Sequence, residues 1–290
     1  MEEESDFNIH MISIIGVGLI GGSLGLALKK KKPNFKIMGI DKPGIIDRAL
    51  ARGAIDEGAI NLEEGLKKAD VVILSTPVKT ILDLLTQINP FLKRGCLVTD
   101  TGSTKRQVVE KATEVLSKDV FFIGGHPMAG SEKYSIEEAN SQLFNDKTYI
   151  LTPTNKNNLI AQKRMFLLIK TIGAKKLILD PQEHDKIIAA ISHLPQILAV
   201  SLTNMISKLI QEENDQHYFK VIGGGFKDMT RIASSPYKMW EDICQTNKEN
   251  ILSSIQEFRN YLEAIEEKLK NDPGSLKEEF QKASKLRETL

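Results

Sequence analysis

Cysteine is scarce: Cys96 and Cys244 are the only two in 290 residues, and neither has partners at metal-ligand spacing. That scarcity excludes a disulfide scaffold and a cysteine-based metal site, and it points to a reducing compartment, the cytoplasm. Net charge is lacking as well. Lys and Arg number 39 against 38 Asp and Glu, leaving +1, so no whole-chain field exists to attract nucleic acid or an anionic membrane. A basic amino terminus is also missing, since Met1-Glu2-Glu3-Glu4 is acidic where an export signal needs cations. Low-complexity tracts and internal repeats are absent.

What is present is ordinary globular material. At 41% hydrophobic and 27% charged, the composition excludes disorder, collagen and a polytopic membrane protein. The uncharged run Ile12 to Leu28 has nearly the length of a membrane span. Its glycines at 16, 18, 21, 22 and 25 suit a buried strand turning into a helix better.

Short apolar runs at Met11–Ile15, Lys36–Ile40, Val71–Leu74, Cys96–Thr99 and Val120–Ile123 alternate with helical stretches at Gly18–Lys32, Gly44–Arg52, Leu62–Lys68, Thr80–Asn89 and Thr104–Leu116. This rhythm predicts an α/β domain built on a parallel sheet with helices on both faces. Beyond Asp180 only helical periodicity remains. Asp180-Pro181-Gln182-Glu183 is a helix start, with an N-cap, a first-position proline and a third-position acid. The expected division is therefore residues 1–180, binding a dinucleotide, and residues 181–290, all helical.

Gly16-Val17-Gly18-Leu19-Ile20-Gly21 is a G-x-G-x-x-G that follows a strand and opens a helix, with Asp41 ending the next strand. Gly16 permits the turn, Gly18 admits the pyrophosphate, and Gly21 lets helix and strand pack, so the phosphates rest on the helix N-terminus. A carboxylate at Asp41 accepts from both ribose hydroxyls and repels a 2′-phosphate, which favours NAD, although Lys42 tempers the repulsion. Ser75-Thr76-Pro77 ends the Val71–Leu74 strand. It either lines the cofactor or is simply a polar turn.

His126 lies in Gly124-Gly125-His126-Pro127-Met128-Ala129-Gly130-Ser131-Glu132-Lys133, read as a loop beyond a strand, and is the candidate acid–base residue. Thr104 with Gln107 fits a capping box, leaving Ser103 free either to bond a nitrogen of His126 or to cap the helix. His184 reads as a packed or interface histidine. His193-Leu194-Pro195-Gln196 implies a kink that frees backbone groups. Gly223-Gly224-Gly225 before Arg231 suggests close backbone approach, with Arg231 either gripping a carboxylate or paired to a helix acid.

Six motifs in order, G-x-G-L-I-G-G-S, D-x-G-S-x-K, G-G-H-P-M-A-G-S-E-K, H-D-x-x-x-A-x-S-H-L-P, G-F-K-D-M-T-R-I-A and M-W-x-D-I-x-x-x-N-K-E-N, make the chain resemble the prephenate and arogenate dehydrogenases of tyrosine biosynthesis. The resemblance spans about Ile12 to Tyr261. It implies a Rossmann-type domain followed by an all-helical dimerisation domain, and NAD-dependent oxidative decarboxylation of prephenate to 4-hydroxyphenylpyruvate by a homodimer. It further implies that His126 bonds the ring hydroxyl, Ser103 orients His126 and Arg231 binds a substrate carboxylate. Ser131, Glu132, His193, Gln196 and Lys227 would lie near the substrate, and Trp240 would reach the site from the partner subunit. Some relatives have His where this chain has Gln196, and no appended regulatory ACT domain is expected. Arogenate is the alternative substrate; a β-hydroxyacid or imine reductase and a catalytically silent NAD sensor are the other readings.

Overall fold

The computed structural model describes residues 9–130, 135–154, 159–213 and 215–289. Eight strands form one sheet in the order β3-β2-β1-β4-β5-β6-β7-β8. They are β1 (Met11–Ile15), β2 (Lys36–Ile40), β3 (Glu57–Ala59), β4 (Val71–Leu74), β5 (Leu97–Asp100), β6 (Phe121–Pro127), β7 (Thr148–Pro153) and β8 (Lys175–Ile178). From β3 to β6 all neighbours run parallel. The purely parallel expectation fails at β6 and β7, which pair antiparallel with His126 opposite Ile150.

Alternation along each strand feeds two cores. Val71 and Ile73 of β4 join Ile12, Ile14, Leu28 and Met165 on one face. Val72 and Leu74 join Ile15, Ile40, Ile81 and Val108 on the other. Both faces are thus covered, which is why these strands read as continuous apolar runs. The first core is roofed by α1 (Leu19–Lys31), α2 (Pro43–Ala51) and α6 (Leu159–Thr171), and the second by α3 (Leu62–Leu66), α4 (Val78–Ile88) and α5 (Arg106–Val115).

The helical half begins with α7 (Pro181–Ile188), where Asp180 accepts from the N–H groups of Gln182 and Glu183 as its sequence predicts. A π-helical turn, Ala189–His193, then leads into α8 (Leu194–Glu213). Pro195 explains it: proline has no N–H to offer the preceding turn, and the widened turn absorbs the mismatch. There follow α9 (His217–Val221), α10 (Gly224–Thr230), α11 (Tyr237–Thr246), α12 (Lys248–Asn271) and α13 (Leu276–Glu288). Their shared core is small, Ala189, Ile243 and Ile251 with Ile197, Trp240 and Ile255 around them.

The two halves are joined through helix N-termini. α4 starts after Pro77 and α5 after Lys105, neither of which caps with its own side chain. Asp242 of α11 accepts the Lys79 N–H at 2.9 Å. Asp185 of α7 accepts the N–H groups of Lys105 and Arg106 at 2.7 and 3.0 Å. The expected capping box of Thr104 and Gln107 does not form. Thr104 instead shares a hydrogen bond with Thr246, and Gln107 donates to the Thr246 carbonyl, because the helical half offers these groups better-placed partners.

Candidate active site

The turn between β1 and α1 is built for close approach. Gly16 has φ +89°, and a Cβ there would sit 2.4 Å from the Ser75 carbonyl oxygen. A Cβ on Gly21 would meet the Gly16 carbonyl at 2.0 Å, so helix and strand touch through bare backbone. Gly18 precedes α1 with no side-chain cap and no acid in the first turn. The leading N–H groups around Leu19 and Ile20 therefore face outward for an anion. Asp41 accepts from Val17 N at 2.9 Å and Lys42 N at 2.7 Å, which fixes its carboxylate against the same turn. Of Ser75-Thr76-Pro77, Ser75 accepts from the Thr101 hydroxyl, Pro77 precedes α4, and the Thr76 hydroxyl is buried without a partner among the described residues. An unsatisfied buried hydroxyl beside the glycine turn fits a cradle completed by a bound dinucleotide.

His126 sits within β6, not in a loop beyond it. The two glycines before it have a packing reason: a Cβ on Gly124 would meet Thr152 Oγ1 at 2.2 Å, and one on Gly125 the Asp100 carbonyl at 2.5 Å. The strand thus carries the ring past the carboxyl end of β5, where ligands of such sheets bind. His126 Nδ1 lies 2.9 Å from His184 Nε2, and His184 Nδ1 lies 2.7 Å from Asp185 Oδ1. His184 is buried, as its packing role predicts, and it also contacts the candidate acid–base residue through this hydrogen bond. Burial, then the neighbouring His184, Lys105 and His193, hold His126 well below the usual histidine pKa.

Beneath these rings Lys105 and Asp100, both fully buried, form an ion pair. Asp100 also accepts from Gly102 N and Gly125 N, at 2.8 and 3.1 Å, so its charge anchors the loop before α5 and the strand bearing His126. Burial lowers the Lys105 pKa, with Asp100 opposing.

Ser103 makes no hydrogen bond to His126, whose Nδ1 is taken by His184. His193 is buried, meets Asn247 Nδ2 at 3.2 Å and packs edge-on against Trp240. Trp240 packs against the small helical core of its own chain. Gln196 is also buried, and its amide donates to the Ile232 carbonyl at 2.9 Å, so it tethers the Arg231 turn to α8. Arg231 is exposed and, among the described residues, makes no ion pair, which removes the paired alternative. Lys227 is exposed on α10. Around Gly223, Gly224 and Gly225 a Cβ would meet nothing within 4 Å, so the expected close approach is not made among the described residues. Ser131 and Glu132 lie outside the described residues.

Sequence reasoning missed His184, Asp185, Asp100, Lys105 and Asn247. The adjacent His-Asp pair in the first turns of α7 was the available signal.

Residues 24–178 match the family model described as the prephenate dehydrogenase nucleotide-binding domain, and residues 180–283 its dimerization domain. The prephenate dehydrogenase of Lactococcus lactis is 39% identical over 282 residues, covering 96% of this chain and 77% of that protein. The Bacillus subtilis enzyme is 39% identical over 263 residues, covering 88% and 68%. Among solved structures, prephenate dehydrogenase from A. aeolicus in complex with hydroxyphenyl propionate and NAD+ superimposes with a TM-score of 0.89 at 34% identity, covering 97% of this chain and 98% of that one. Synechocystis arogenate dehydrogenase gives 0.82 at 28%, covering 96% and 99%. A Rossmann-type half, a helical half and the likeness across both agree: the chain belongs to the prephenate dehydrogenase family.

Proposed function

We propose that this chain is the NAD-dependent prephenate dehydrogenase of tyrosine biosynthesis, working as a cytoplasmic homodimer, with residues 1–180 holding the cofactor and residues 181–290 completing the substrate site. The observation that carries it is a neutral, partly accessible His126 at the sheet's carboxyl edge, hydrogen-bonded among the described residues through Nδ1 alone. Gly16, Gly18, Leu19, Ile20, Gly21 and Asp41 would hold NAD, which supplies the hydride acceptor when bound. His126 Nε2 accepts the proton of the ring hydroxyl. Electron density then rises at C4, its hydrogen departs as hydride, and the ring carboxylate leaves as CO2, giving the aromatic product. A positioned base of this kind is worth roughly 10²–10⁴ in rate.

Among the described residues the Ser103 hydroxyl has no protein partner, which suits it to the substrate hydroxyl, and Arg231 makes no ion pair there, which leaves its guanidinium for a carboxylate. Ser131, Glu132 and Lys227 complete the polar surroundings. With Gln196 occupied by Ile232, discrimination between prephenate and arogenate falls to Glu132 and Lys227. Prephenate is the preferred substrate, with arogenate used detectably.

The run Pro181–Glu213 is long and apolar enough to cross a membrane, and only 28% of its most apolar window is buried in the chain. Its buried polar side chains, His184, Asp185, His193 and Gln196, are each hydrogen-bonded within this chain, which favours a second copy over lipid as cover. No nucleic acid partner is proposed. NADH formation at 340 nm from NAD+ and prephenate, run beside arogenate, tests the reading; absence of turnover with both refutes it.

A further inference from the structure

The contact between His126 Nδ1 and His184 Nε2 determines where the protons sit in both rings. Asp185 uses both carboxylate oxygens as acceptors, Oδ1 from Lys105 N and Oδ2 from Arg106 N. Facing that acceptor at 2.7 Å, His184 Nδ1 must be the donor. A neutral His184 then has no proton on Nε2, so it accepts there, and His126 donates from Nδ1 across 2.9 Å. His126 is left with a bare lone pair on Nε2, the nitrogen that can face a substrate hydroxyl.

Resting on the reading of His126 as the base, we propose that His184 and Asp185 are positioning residues that hold His126 in its reactive tautomer. When Nε2 takes the substrate proton, His126 becomes an imidazolium whose Nδ1–H bond to His184 is charge-assisted, with the Asp185 carboxylate one ring further on. No proton has to leave His126 in this step. The α5 N-terminus keeps Asp185 oriented, its dipole favouring the carboxylate there. The buried Lys105 is paired with Asp100, and His193 is held by Asn247, so neither competes for His184 Nε2.

Two measurements test this. The first is 15N long-range NMR of histidine-labelled protein, with the His126 signals identified by their loss in His126→Asn. Neutral His126 should carry its proton on Nδ1 in the unmodified enzyme; a proton on Nε2 overturns the proposal whether or not prephenate is turned over. The second compares His184→Phe, which fills the space without accepting, with His184→Gln, whose Oε1 accepts the same bond. The Phe variant should lose kcat about 30-fold or more with little change in NAD+ affinity, and Gln should regain at least tenfold of that loss. Equal losses in the two variants, with His126 still protonated on Nδ1 in the Phe form, would overturn it. If the Phe variant does not fold, the tautomer of the unmodified enzyme still decides. Failure of the proposed function is separately visible as no NADH formation by the unmodified enzyme.

Discussion

Asp185 receives the backbone N–H of Lys105 at 2.7 Å, across 80 residues of sequence and from one half of the molecule to the other. One carboxylate thereby starts a helix, orients a histidine and ties two domains. Removing it by Asp185→Ala should cost well over the roughly 1 kcal/mol of an ordinary cap. Asp242→Ala, which loses one backbone N–H, should cost about 1 kcal/mol. Thermal or urea denaturation of the two variants checks the order, and an equal or reversed ranking would show that Asp185 is not the principal tie.

Asp41 bears on cofactor choice. Its carboxylate is pinned to the glycine turn by Val17 N, so a 2′-phosphate meets a charge that cannot swing away. kcat/KM should favour NAD+ over NADP+, and Asp41→Ser should narrow the gap chiefly by weakening NAD+. Comparable values for the two cofactors in the unmodified enzyme would contradict this.

His126→Asn should lower kcat by roughly 10²-fold or more while leaving dinucleotide affinity nearly unchanged. Arg231→Ala should act mainly through KM, raising it tenfold or more, because it removes a charged hydrogen bond to substrate worth roughly 1.5–3 kcal/mol. Steady-state kinetics with equilibrium NAD+ titration separate the two.

Acid should act on stability before it acts on chemistry. Burial lowers the His193 pKa from 6.5 to about 4. A histidine depressed in the folded state gives its full stability above the unfolded value of about 6.5, and loses it as pH falls toward 4. Burial likewise lowers His126 and His184, with the same sign. Unfolding free energy should fall by about 3 kcal/mol or more over that window. kcat/KM should stay near its neutral value down to about pH 6, since His126 remains unprotonated there. His193→Gln should flatten the stability slope; a slope unchanged in that variant would assign it elsewhere.

The helical half leaves Ile191 at 65% and Val221 at 78% exposure, with Met205 and Met229 also open, although Ile188 is covered within the chain. Half-buried Ile187, Leu198 and Leu202 continue the same apolar surface. A homodimer should persist at micromolar concentration by light scattering, and a monomer mass would refute it.

Strands β1, β2 and β4 were legible to the residue because strands buried on both faces are nearly continuous apolar runs, broken here only by Ser13 and Lys36. β3 and β8 were not, for they are a three-residue Glu-Gly-Ala and an exposed Lys-Lys-Leu-Ile edge. The glycines before His126 resembled a loop, whereas Thr152 and Asp100 simply leave no room for a Cβ. His184 shows why the site was only partly readable. Helical periodicity identified its face as buried, but only the fold reveals that this face meets a histidine 58 residues away.

Two helices of the nucleotide-binding half take their N-terminal acceptors from the other half. Swinging the halves apart would strand the N–H groups of Lys79, Lys105 and Arg106 and break the Thr104–Thr246 bond, at roughly 1 kcal/mol each. The two halves are therefore braced against each other, and any wide separation of them during turnover would have to give up all of these bonds together.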